Sequence, residues 1–350
     1  MNDKKEIEWI NVAKTLCIAF IFLNHSEFYC NCNIGVIRNL YLPFFVNTFF
    51  FLSGYLLLKK QLSPFYINAS LKEWWNMPEG GRTLLQNILF RIVLPTVIFA
   101  VILYIPKIII RGGNLLLKDM VRETIVDGTY WFTCALAISE VLFLCALLFR
   151  IKKIWFYLCF SVILALVAQI LVWHKIYFFN DDSMPWYYKS GFTACVFLVI
   201  GGIYNKYETL IDNYFKPIIC LILIVPCTYI LLFHFSSIQC VISRGALDIP
   251  GFFVDIVLIY VFIRISKVLR GGKLFNYIGR HSIGFYFFCG AIPNAVWVVM
   301  NRAGFNPSLT TTLVCTVLSI LLSYPIVFLL NRYVPFVYDL RKFKMMRSTE

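Results

Sequence analysis

Polar positions are sparse along this chain and gather in short clusters. Between the clusters run apolar stretches at residues 10–29, 43–58, 86–110, 131–149, 154–173, 191–204, 217–235, 249–266, 282–300 and 308–330. A bilayer core takes about 20 apolar residues per helix, fewer where packing or tilt helps. The pattern predicts an all-α fold, a polytopic transmembrane helical bundle of about ten spans. No small-residue cleavage site follows the first run, which continues too far for a signal peptide and reads as the first span. Neither a Ser/Gly-rich linker nor a charged low-complexity tract interrupts the series. A single integral membrane domain over residues 1–350 is expected, with any chemistry taking place among the helices.

Composition agrees. The chain is 60% hydrophobic and 14% charged, whereas a soluble domain carries about 25% charge. A net charge of +14 raises the question of nucleic acid, and the distribution of that charge answers it. With a cytoplasmic N-terminus, the inside segments hold 21 of the 32 Lys and Arg residues. This positive-inside asymmetry places both termini in the cytoplasm of a multi-pass protein of the inner or plasma membrane. The basic loops then set topology and touch anionic lipid, and no nucleic-acid partner is expected. The inside loop 59–83 carries Trp74 and Trp75 beside Lys72, which suits the membrane surface.

Most of the twelve cysteines lie in apolar runs, where Cys acts as a small hydrophobe. Cys30, Cys32 and Cys240 fall in outer loops, where a bridge from Cys240 to one of the others requires an oxidising compartment. The Cys-Asn-Cys spacing is not a zinc signature, and no metal is expected. Pro95, Pro106, Pro226, Pro293 and Pro325 can kink their helices. They occupy no matched positions in two halves, which weighs against a transporter built from repeats.

Lys14 and His25 stand out within the first run. They lie 11 positions apart, so on a helix they share a face to within about 20° and are separated by a rise of about 16 Å. A charge inside a span faces a cavity or a partner; alternatively Lys14 snorkels to the headgroups and His25 is interfacial. Asn24, His25, Ser26 and Glu27 form a polar cluster where a span should still be apolar, and His is suited to take a proton from a hydroxyl near neutral pH.

These residues also carry a resemblance. Residues 7–25, followed by Phe49–Phe51 and Ser53, Gly54 and Tyr55, resemble the start of the acyltransferase-3 family of membrane proteins, which transfer acyl groups, mostly acetyl, to sugar hydroxyls. Lys14 and His25 match the family's basic residue and histidine of the first helix. Arg91 to Pro95 match its third helix, Trp131 and Phe132 the opening of its fourth, and Gly279, Ser282 and Tyr286 its late motif. Three departures stand out: Asn11 replaces a frequent aspartate, Ile88 takes the first position of an arginine pair whose second member is Arg91, and Cys289 takes the place of a histidine.

The resemblance implies acetyl-CoA, or another acyl-CoA, as cytoplasmic donor and a hydroxyl of a cell-envelope glycan or glycolipid precursor as acceptor. Lys14 and Arg91, with Arg82, would meet the CoA phosphates. His25 would act as general base or carry the acyl group itself. Glu27, two residues on, would point off the His25 face, leaving Glu140 and Asp255 as candidates to orient the imidazole. The competing role of these two carboxylates is pairing with Arg264 or a buried hydroxyl. Asn47 and Trp131 are candidate oxyanion donors, with polar helix–helix contact as the commoner role. Ser53 lacks the flanking glycines of a nucleophile elbow; Ser53-Gly54 reads as a close helix contact. His174 and His234 read as interfacial, and His281, beside Arg280, as interface or phosphate contact. The alternative function is a transporter or flippase for a glycolipid or polar solute that uses Lys14, Arg91, Glu140 and Asp255 as pathway charges.

Overall fold

The computed structural model describes residues 8–61, 63–111, 116–174, 185–229 and 249–341, and no strand occurs among them. The long helices, in chain order, are α1 (Glu8–Cys30), the short α2 (Val36–Tyr41), α3 (Phe45–Gln61), α4, α5 (Trp131–Leu148), α6 (Ile154–Trp173), α7 (Tyr188–Tyr214), α8 (Pro217–Tyr229), α9 (Ile249–Val268), α10 (Lys273–Arg280), α11 (Ser282–Phe288), α12 (Ala291–Arg302) and α13 (Leu309–Tyr333). Helix α4 runs through Gly81–Ile88, a π-helical turn at Leu89–Val93, and Leu94–Arg111.

Among the described residues six helices are long and apolar enough to cross a membrane, or seven if the bent pair α11–α12 is one span. The sequence pattern had suggested about ten, and the difference has identifiable sources. Helix α1 is 23 residues long and α9 is 20, lengths of about 35 and 30 Å at 1.5 Å per residue. Asn11, Lys14, Asn24, His25 and Glu27 dilute the apolar character of α1, and Asp255, Arg264 and Lys267 that of α9. Helix α8 covers only the first part of the run 217–235; the remainder, with His234, Cys240 and both chain termini, lies outside the described residues.

Prolines account for the irregular backbone. Pro95 has no N–H to offer the carbonyl of Arg91, four residues earlier, and the turn before it widens so that the Leu94 N–H bonds to Leu89 instead. Pro293 likewise cannot reach back to Cys289, where α11 and α12 meet at a 47° bend.

Within the one acyltransferase-like domain expected from sequence, the packing forms two compact units. The first comprises the described residues of Met1–Phe49, Phe215–Cys240 and Pro250–Val334; the second those of Phe50–Tyr214, Val241–Ile249 and Pro335–Glu350. In the first, α1 packs on α10, α11, α12 and α13. A Cβ on Gly279 would lie 2.1 Å from the Asn11 carbonyl oxygen, so α1 and α10 touch through their backbones. The Thr15 hydroxyl donates to the Phe275 carbonyl at 2.6 Å across the same contact. In the second unit, α3 crosses α7 equally closely: a Cβ on Gly54 would meet the Leu198 carbonyl at 1.7 Å, and one on Gly201 the Phe51 carbonyl at 1.9 Å.

The loop 59–83, expected on the inside, departs from expectation in its packing. A capping box of Ser70 and Glu73 starts the helix Leu71–Asn76, and Trp74 is fully buried rather than laid on the membrane surface. Its Nε1–H donates to Gln61 at 2.9 Å and the Arg150 guanidinium sits 4.8 Å from its ring centre. Filling the indole's polar tip and stacking its face makes burial more favourable than interfacial exposure.

Candidate functional site

In the first unit, the C-terminal half of α1 and the turn that follows it line a half-open cavity of about 600 Å³ bordered by Asn24, His25, Glu27, Phe28, Tyr29, Asn31, Cys32, Asn33 and Arg38. Helix α1 runs unbroken from Lys14 to His25, so the rise of about 16 Å between the two side chains holds. The His25 ring stacks on Tyr29, one turn further on, with centroids 6.4 Å apart.

Glu27 shapes the cavity wall. Its buried carboxylate accepts the Ile34 N–H at 3.3 Å and the Tyr41 hydroxyl at 3.5 Å, and faces Arg38 Nε at 3.8 Å. It therefore pins the chain from residue 31 to α2 against α1 and offsets the Arg38 charge. Sequence spacing had pointed Glu27 off the His25 face, whereas the buried carboxylate lines the same cavity as His25. Asn33 Oδ1 accepts the Gly35 N–H at 2.8 Å, tightening the same turn. Tyr41 stacks on Phe20 at 5.2 Å, fastening α2 to α1.

The remaining candidates fall as follows. Asp255, on α9 in the first unit, is fully buried and accepts a hydrogen bond of 2.6 Å from Asn47 Nδ2, which also donates to the Pro43 carbonyl at 2.9 Å. Asn47 is thus engaged as a polar link between helices. Asn11 is buried in the α1–α10 contact. The His281 ring lies tilted against that of Tyr277, centroids 4.4 Å apart, and His174 is exposed at the end of α6.

In the second unit, Ser53 donates to the buried Glu140 at 2.6 Å. This is the pairing with a buried hydroxyl foreseen for that carboxylate, and Gly54 beside it makes the close helix contact. Trp131 lies at the start of α5, its ring 6.4 Å from that of Tyr187. Arg82 is exposed in the first turn of α4. Arg91 occupies the π-helical turn, its Nε 3.8 Å from Asp339 Oδ2. Asp339 also takes two bonds from the Arg341 guanidinium, at 2.8 and 2.6 Å, and one from its backbone N–H at 3.1 Å. Burial pushes the Asp339 carboxyl up, but the hydrogen bonds and charge of Arg341, with the charge of Arg91, outweigh it and hold the group below its usual range.

Cys30 and Cys32 are free thiols, and Cys30 packs with Cys315, Val296 and Met300. No group of three or more His, Cys, Asp or Glu able to hold a metal ion occurs among the described residues. Sequence reasoning overlooked Arg38, Asn31 and Asn33, because a polar loop between spans carries such residues by default. It also overlooked Asp339 and Arg341, which stood out only as part of a basic terminus.

A bundle of apolar helices is the fold that the resemblance implied. The chain matches, over residues 7–328, a family model described as an acyltransferase domain, and it belongs to that family, acyltransferase-3. It is a membrane acyltransferase. No curated protein and no solved structure matches it.

Proposed function

We propose that this acyltransferase moves an acetyl or related acyl group from acyl-CoA to a hydroxyl of a cell-envelope glycan or glycan precursor, with His25 as general base. The observation that carries the reading is the cavity of about 600 Å³ around His25, walled by asparagine amides and Tyr29. Carboxamides both donate and accept, which suits sugar hydroxyls, and the volume falls in the ordinary range for small-molecule sites. His25 takes the proton of the acceptor hydroxyl as its oxygen attacks the thioester carbonyl. The carbon–sulfur bond then breaks, and the leaving CoA thiolate recovers the proton from the imidazolium. Tyr29 lies alongside the His25 ring, with centroids 6.4 Å apart. Lys14, Arg91 and Arg82 are the cations this reading assigns to the donor's phosphates. It places the protein in the inner or plasma membrane with both termini cytoplasmic.

The test compares wild type with His25→Ala. Retained fold and retained acetyl-CoA binding are expected, with transfer slowed by about 10²–10⁴-fold, the worth of a general base. Transfer at the wild-type rate would remove His25 from the mechanism.

A further inference from the structure

The segment after α13 returns to α4 and is anchored there. Val337 and Tyr338 are buried, and Tyr338 stacks on Phe99 with centroids 5.3 Å apart. This brings Asp339 and Arg341 to the part of α4 that holds Arg91. Arg341 Nη1 donates to Asn87 Oδ1 at 2.8 Å, while its Nε and Nη2 grip Asp339. Asn87 immediately precedes Ile88. Two guanidinium groups thus flank one carboxylate, and their side chains are 61% and 36% exposed.

We propose that Arg91 and Arg341 together form a phosphate-binding site, with Arg341 as the second cation that α4 itself lacks at Ile88. The proposal rests on the acyl-CoA reading above for its preferred ligand, the phosphates of the donor. Three of the five N–H donors of Arg341 are used in the bonds to Asp339 and Asn87, leaving two to meet an oxyanion. Asp339 fixes the guanidinium plane, and the trio keeps a net positive charge because two cations face one anion. The π-helical turn sets Arg91 outward beside it, and forked guanidinium contacts match phosphate geometry. The phosphate of an anionic lipid headgroup offers the same chemistry, so the experiment separates the two sources.

Full-length protein in zwitterionic nanodiscs is titrated calorimetrically with acetyl-CoA and with S-acetylpantetheine, which has the thioester but no phosphate. Arg341→Gln is expected to weaken acetyl-CoA binding about tenfold or more, the worth of one charge-assisted hydrogen bond, and to leave S-acetylpantetheine unchanged. A parallel arm measures phosphatidylglycerol retained by each form in native mass spectrometry. Loss of retained lipid in Arg341→Gln, with acetyl-CoA affinity unchanged, establishes the phosphate site with a lipid as its ligand. Equal weakening of both thioesters, or no change in either arm, overturns the site. Wild type that binds no acetyl-CoA at all overturns the donor reading, and the lipid arm then still decides the site.

Discussion

Glu27 shows how much one side chain can carry. It holds a backbone N–H, a tyrosine hydroxyl and an arginine on the wall of the His25 cavity. Glu27→Ala removes those acceptors, and leaving buried donors unmet costs about 1–3 kcal/mol. The expected result is a lowered melting temperature together with lost transfer, with Glu27→Gln intermediate because its carbonyl oxygen still accepts. A variant as stable as wild type would mean that water replaces the carboxylate. Asn47→Leu tests the second buried carboxylate. It removes the 2.6 Å bond to Asp255, and leaving a buried polar group without its partner costs about 1–3 kcal/mol. The loss should appear as thermal destabilisation at unchanged acetyl-CoA affinity. At this scale Lys14 and His25 were legible because a charge or imidazole amid apolar neighbours needs a reason. Arg38 was not, because nothing in a polar loop distinguishes a cavity-lining cation from a solvated one.

Elements were legible where their breakers were. Pro95 and Pro293 sit at the π-helical turn and at the α11–α12 bend, and the Ser53-Gly54 pair marks the α3–α7 contact. Gly54→Ala would drive its Cβ into the Leu198 carbonyl, a backbone atom that cannot swing aside; overpacking of this kind costs about 1–3 kcal/mol. Reduced melting temperature and reduced yield of folded protein are expected, whereas an unperturbed variant would show that the two helices part easily. The docking of residues 335–341 was invisible in sequence, since three residues of 3-10 helix, Pro335–Val337, leave no periodic signal. It carries a pH dependence of known sign. The Asp339 carboxyl is depressed in the folded protein, so its contribution is fully present above the unfolded carboxylate value of about 3.9 and is lost as pH falls through the lower folded value. Hydrogen-exchange protection of Tyr338 and Arg341 amides should therefore be flat from about pH 8 to 5 and fall below about 4. In Asp339→Asn that acid step should be absent.

For the whole molecule, apolar runs established a helical membrane protein, and among the described residues six helices meet the length and composition of a span. A run records composition, whereas a span also requires continuous helix, and the polar residues of α1 and α9 obscure their length. The pair α11–α12 is where the distinction can be measured. A 47° break at Cys289–Gly290 is compatible with one bent span or with a re-entrant loop whose ends return to the same face. The sequence reading makes residues 282–300 one crossing, with basic residues 264–281 inside. Arg270 and Ala303, both exposed, bracket the pair. Cysteines introduced separately as Arg270→Cys and Ala303→Cys should then react oppositely with a membrane-impermeant maleimide in intact cells. Ala303→Cys should gain label above the native background at once, and Arg270→Cys only after permeabilisation. Labelling of both from the same side would make α11–α12 re-entrant and would remove the bent pair from the count of crossing helices. Opposite labelling would add it as a seventh to the six set by length and composition, and would put the cationic side of α10 on the cytoplasmic face.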